Sequence, residues 1–196
     1  MATPRGPEIR ANYAKLVMSS VKRLPPTEQS RVLAAIGEPL RARVREAGLL
    51  EWQAAEVFVA LSAAVEAALG PARARAFWKG NLLDALSRSL LKPLRAGALA
   101  LYGKTPRALL KMAPQAWSLV GRAAGRASIV EVSERQVVVH FAELTAPLTA
   151  APSLLDVWAG GAEACIAHLG WHGSASPRRR DLSSGRAEID VEWSPS

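Results

Sequence analysis

The stretch "ASIVEVSERQVVVHFAE", Ala127 to Glu143, decides the fold, because here the spacing of apolar residues changes from about 3.6 to 2. β-Branched residues crowd into two short runs joined through Ser133, Glu134 and Arg135, the pattern of a β-hairpin. Further on, "RAEIDVEW" (Arg186 to Trp193) alternates Ile189, Val191 and Trp193 with Glu188, Asp190 and Glu192. That is a strand with one apolar and one acidic face. Between the hairpin and this strand, Ser153 is placed to cap a helix in which Leu154, Leu155, Val157, Trp158, Ala162, Cys165, Ile166 and Leu169 share a face, and Gly170 ends it. With a further strand around "WHGSASP", the C-terminal part reads strand, strand, helix, strand, strand.

Upstream of Ala127 every signal is helical. Ile9, Tyr13, Leu16, Val17 and Val21 form one stripe before Pro25 and Pro26 stop it, and Thr27 is placed to cap the next helix. That helix carries Leu33, Ile36, Leu40 and Val44, with a kink expected at Pro39 and an end at Gly48. "EWQAAEVFVALSAAVEAALG" is apolar on most of its circumference, so it is expected in the middle of the bundle. Pro71 opens a helix presenting Phe77, Trp78, Leu82, Leu86 and Leu90, and a shorter helix ends near "LYGK". Thr105 and Pro106 start the last one, with a break at Pro114. The expected fold is α+β: about six helices in residues 1–126 packed on a four-stranded antiparallel sheet of ββαββ order in residues 127–196, together one compact domain.

Charge divides along the same line. Residues 1–126 carry 20 Lys and Arg against 8 Asp and Glu, and residues 127–196 carry 5 against 9. The arginines of the front are spread along its helices instead of gathered in an arm, so a solvated basic face is expected and nucleic acid is not an expected partner. No segment reads as a membrane span or a signal peptide, and the single cysteine excludes an internal disulfide, so a cytoplasmic protein is expected.

A helical front followed by a ββαββ end looks like the fold shared by haem nitric-oxide-binding domains, vinyl-reductase domains and small TRAPP vesicle-tethering subunits. In "ARAFWKGNLLDAL" (74–86), "TPRALLKMAPQAWSLVGRAAGRASIVEV" (105–132) and "LLDVWAGGAEACIAHLG" (154–170), the chain resembles an uncharacterised paralogous family of myxobacteria. That resemblance implies no reaction. Haem-binding relatives need an axial histidine in the helical part and a Tyr-Ser-Arg motif; residues 1–126 contain no histidine and the motif is not visible, so no cofactor is expected. TRAPP relatives carry an acylated cysteine in an apolar channel, a part that Cys165 alone would have to play here.

Several side chains are candidates for chemistry. Cys165, His168 and His172 have a Cys-x2-His-x3-His spacing that suits a zinc or copper ion, although Gly170 separates the two histidines. A nucleophilic Cys165 with His168 as its base is a weaker variant of the same idea. Arg178, Arg179, Arg180, Asp181 and Ser183 echo part of a cyclic-dinucleotide signature, while a polar turn between strands explains the same composition. His140 is expected half-exposed on a strand, and Glu188, Asp190 and Glu192 on a solvated sheet face. Of the six tryptophans, Trp78, Trp117 and Trp158, together with Cys165, are placed to line an apolar pocket. The expected function is a non-enzymatic sensory or adaptor module that recognises a protein partner or a small apolar ligand between helices and sheet, with a homodimer plausible on the fold. The alternatives are a metal or cofactor protein at the Cys165 region and a nucleotide or nucleic-acid binder using the basic residues.

Overall fold

Where the apolar spacing is helical the chain forms helices, and where it alternates it forms strands. The computed structural model describes residues 6–88, 91–179 and 182–195. Along the front run β1 (Glu8–Arg10), α1 (Ala11–Val21), α2 (Pro26–Ile36), α3 (Glu38–Glu46), β2 (Trp52–Ala54), α4 (Ala55–Leu69), α5 (Pro71–Arg88), α6 (Leu91–Tyr102), α7 (Pro106–Leu110), α8 (Ala113–Val120) and β3 (Gly121–Arg122). The tail is β4 (Arg126–Ser133), β5 (Gln136–Ala142), a 3-10 turn at Leu148–Ala150, α9 (Ser153–His168), β6 (His172–Arg179) and β7 (Ala187–Ser194). The α+β class and the ββαββ tail are as expected. The front is more divided than expected, with eight helices among the described residues where about six were read.

Each departure has a local cause. The helix expected to kink at Pro39 breaks outright at Gly37, whose φ of 73° only glycine adopts readily, and Pro39 falls in the first turn of α3 where its missing N–H costs nothing. Thr105 caps α7 as expected, its hydroxyl accepting from the Ala108 N–H at 3.3 Å. Thr27 does not cap α2, which begins at Pro26. Nor does Ser153 cap α9: its hydroxyl is buried 2.8 Å from that of Ser62 and joins α9 to α4. Leu90 lies outside the described residues.

A second sheet was not read from the sequence. β1 lies between β2 and β3, all antiparallel, so residues near positions 9, 53 and 121 meet. Trp52 is flanked by the guanidinium groups of Arg10 at 4.2 Å and Arg122 at 5.0 Å from its ring centroid. Strands of two or three residues carry no periodicity, so only the tertiary fold reveals them.

The main sheet has the order β4-β5-β7-β6, which makes the amphipathic strand β7 central. Its Ala187, Ile189, Val191 and Trp193 are buried on the inner face. At the border strand β4, Glu131 pairs with Arg107 at 2.9 Å and Lys111 at 2.8 Å, Arg107 also donates to the Ser133 carbonyl, and the register shifts between Glu131 and Ser133.

Apolar side chains bury in two clusters. One joins α1 to α5 through Val17, Val21, Val32, Val44, Leu61, Val65 and Trp78; the other joins the sheet to α9 and includes Tyr13 and Leu86 from the front. Helix α9 connects the two by packing on α5 and α4 as well as on β6 and β7. At Gly160 it approaches α5 so closely that a Cβ would stand 2.8 Å from the Arg75 carbonyl and 3.0 Å from the Lys79 nitrogen. Arg75 then bonds Asp156 Oδ1 through Nε at 3.0 Å and Nη2 at 2.6 Å, and the Ala175 carbonyl through Nη1 at 3.0 Å, so that α5, α9 and β6 share one guanidinium.

Gly160→Ala is expected to lower stability by about 2 kcal/mol, since backbone atoms cannot yield to the added methyl. At Gly161 a Cβ would meet only the end of Leu82 at 3.3 Å, a side chain that can turn aside. Gly161→Ala is therefore expected to gain up to about 1 kcal/mol from helix propensity, and urea denaturation of both variants checks the contrast.

Candidate ligand cavity

Between the helices and the inner face of the sheet lies a cavity of about 210 Å³. Its aromatic wall is Trp158 stacked on Phe141, with ring centroids 4.2 Å apart and planes at 18°, and Trp117 set edge-on to both. Helix α8 forms another wall and has no buried residue: Ala113, Ala116, Trp117 and Val120 line the cavity and remain half-exposed. Small residues of α9, namely Gly161, Ala162 and Cys165, face the same space.

Polar groups on this wall are few. Tyr13 Oη, Trp78 Nε1 and Trp117 Nε1 are buried and have no hydrogen-bond partner among the described residues. Burial holds the Tyr13 phenol above its usual range, so it is neutral. Arg95 lines the cavity from α6, and its Nη1 is 3.1 Å from His168 Nε2. A guanidinium only donates, so His168 accepts and is the neutral Nδ1–H tautomer. Burial, then the Arg95 charge, hold its pKa below the ordinary 6.5.

Cys165 is surrounded by protein yet keeps accessible surface because it faces the cavity. Burial pushes its thiol up to about 12.

The four residues singled out as pocket-lining, Trp78, Trp117, Trp158 and Cys165, line this one cavity. The metal triad is not gathered: Cys165 faces the cavity, His168 meets Arg95, and His172 starts β6 beyond the turn at Gly170. Among the described residues no group of three or more His, Cys, Asp or Glu side chains is placed to hold a metal ion. Of the arginine-rich stretch, Arg180 and Asp181 lie outside the described residues. Arg178 is 3.7 Å from Asp190, and Ser183 lies in the turn between β6 and β7, where the Gly185 carbonyl accepts from the Leu144 N–H. His140 sits on the outer face with Nδ1 3.8 Å from Glu188 Oε1. Tyr13 and Arg95 were missed as site residues. Tyr13 was read as one member of an apolar stripe, and Arg95 has no feature separating it from the other arginines of the front.

No protein-family model matches the chain, and no curated protein matches it. Solved H-NOX structures do. One from work on heme distortion in that family is 12% identical with a TM-score of 0.63, covering 96% of this chain and 97% of its own. An oxygen-binding H-NOX domain related to soluble guanylate cyclases is 14% identical with a TM-score of 0.62, covering 95% and 96%. An Fe(II) unliganded H-NOX protein from K. algicida is 8% identical with a TM-score of 0.61, covering 96% and 98%. The chain therefore has the H-NOX fold over nearly its whole length.

Two measurements test the electrostatics. The His168 imidazole is expected to titrate below 6.5, so whatever stability its neutral form confers is present above that value and lost as pH falls through the folded pKa. In an NMR titration, Arg95→Gln should raise the midpoint only part of the way, because burial is the larger cause. For Cys165, a pKa near 12 in place of 9.0 lowers the thiolate fraction at mildly alkaline pH roughly a thousandfold. Iodoacetamide should accordingly label the native protein far more slowly than the urea-unfolded chain.

Proposed function

We propose that the chain is a non-enzymatic sensory module that binds a small apolar molecule in the cavity between its helices and its sheet. The observation that carries this reading is α8, a helix whose apolar face meets the cavity and is left half-covered by protein. Leaving such a face against water forgoes hydrophobic stabilisation that an apolar occupant would supply. In size the cavity, about 210 Å³, exceeds the roughly 150 Å³ of an apolar cavity that binds benzene, so it suits a substituted ring or a small bicyclic molecule.

The H-NOX structures that share the fold are described as heme and oxygen binders. Haem does not fit the residues of this chain. None of its three histidines lines the cavity, and a porphyrin needs a space well into the roughly 300–1,000 Å³ range of larger ligand pockets. An acyl-transfer or hydrolytic reading lacks support as well, because Cys165 is protonated and His168 accepts its hydrogen bond from Arg95.

Naphthalene or indole should raise the melting temperature of the full chain, change its tryptophan emission, and slow alkylation of Cys165. At a hundredfold excess over Kd the stabilisation should be about 2.7 kcal/mol. Ala116→Phe, which places a ring in the cavity, should keep the fold and abolish all three responses. If neither probe produces any of them in the unmodified chain, the cavity is not a binding site.

A further inference from the structure

The only charged side chain lining the cavity among the described residues is Arg95. None of the ion pairs among the described residues includes it. Its Nε is buried without a hydrogen-bond partner, and the group that takes Nη1, His168, is uncharged and cannot neutralise it. Arg95 is half-exposed, and a guanidinium with an unused donor edge beside an apolar space gains a charge-assisted hydrogen bond when an anion arrives.

The other orphaned polar atoms on the wall point the same way. Tyr13 is 8% exposed and Trp78 2% exposed, and their Oη and Nε1, with Trp117 Nε1, are all able to donate. A wall with several unused donors and one unneutralised guanidinium calls for a molecule that brings acceptors and a single negative charge. It also calls for an apolar body, because most of the lining is aliphatic or aromatic.

Resting on the function proposed above, we infer that the apolar body bound in the cavity carries one carboxylate, so that the ligand is a small aromatic or cyclic monocarboxylic acid, held with its carboxylate on Arg95 and its ring against the Phe141–Trp158 stack. His168 fixes the guanidinium by occupying Nη1, which leaves the Nε edge to face the carboxylate, and a planar fork matched to a planar carboxylate gives direction as well as charge. A phosphate ester would bring a second charge for which the described lining offers no second cation.

The test compares naphthoate with naphthamide, equal in shape and unequal in charge, by calorimetry on the full chain at neutral pH. Naphthoate is expected to bind at least about tenfold more tightly. Arg95→Gln should bring the ratio close to one while leaving naphthamide affinity within about twofold. Ala116→Phe should remove binding of both, which separates the cavity from anion binding on the basic surface. Equal affinities in the unmodified chain, or a preference that survives Arg95→Gln, would overturn the inference while leaving the cavity reading in place. Failure of both probes to bind, with Cys165 alkylation unchanged, would overturn both. Should Arg95→Gln fail to fold, the ratio in the unmodified chain still decides.

Discussion

The contact on which the molecule depends is the crossing of α9 over α5 at Gly160. Without a side chain there, the two backbones come within the distance at which a methyl group would collide with the Arg75 carbonyl. That approach lets Arg75 reach both Asp156 on α9 and the Ala175 carbonyl on β6. Helix α9 belongs to the sheet by chain order and packs on the bundle, so this close crossing ties the acidic part to the basic one.

The cavity follows from the same helix. Gly161, Ala162 and Cys165 lie along the side of α9 that faces it, and none is large enough to fill the space that α8 and the aromatic wall enclose. Large side chains there would give a solid core of the usual density. The charges add a second constraint. Arg75 is matched by a carboxylate at 2.6 Å and serves structure, whereas Arg95 is matched by a neutral imidazole and has donor capacity left over.

Much of this architecture was readable from residue spacing. The alternation in Arg186–Trp193 identified an inner strand, and the β-branched runs after Ala127 identified the β4–β5 hairpin beside it. Tryptophans at helical core positions and Cys165 on the apolar stripe of its helix located the cavity wall, because amphipathic faces in two adjoining parts must meet each other. What escaped were features with no local period. Gly37 broke a helix where Pro39 was the more conspicuous signal, and β1, β2 and β3 exist only because Glu8–Arg10 is brought against Trp52–Ala54 on one side and Gly121–Arg122 on the other. Arg95 escaped for a related reason: its meaning lies in what it lacks, and a missing counter-charge is visible only when the surroundings are known.

The border strand β4 bears on how the molecule behaves among copies of itself. A free edge with exposed Val130 and Val132 is a template for strand addition, and from it sheets grow into fibres. Here the edge is interrupted by an irregular step after Glu131, a carboxylate holds two cations beside it, and Arg107 already occupies the Ser133 carbonyl. Edge-to-edge polymerisation would have to displace those cations, so a few charged side chains guard solubility at the margin where the sheet stays open.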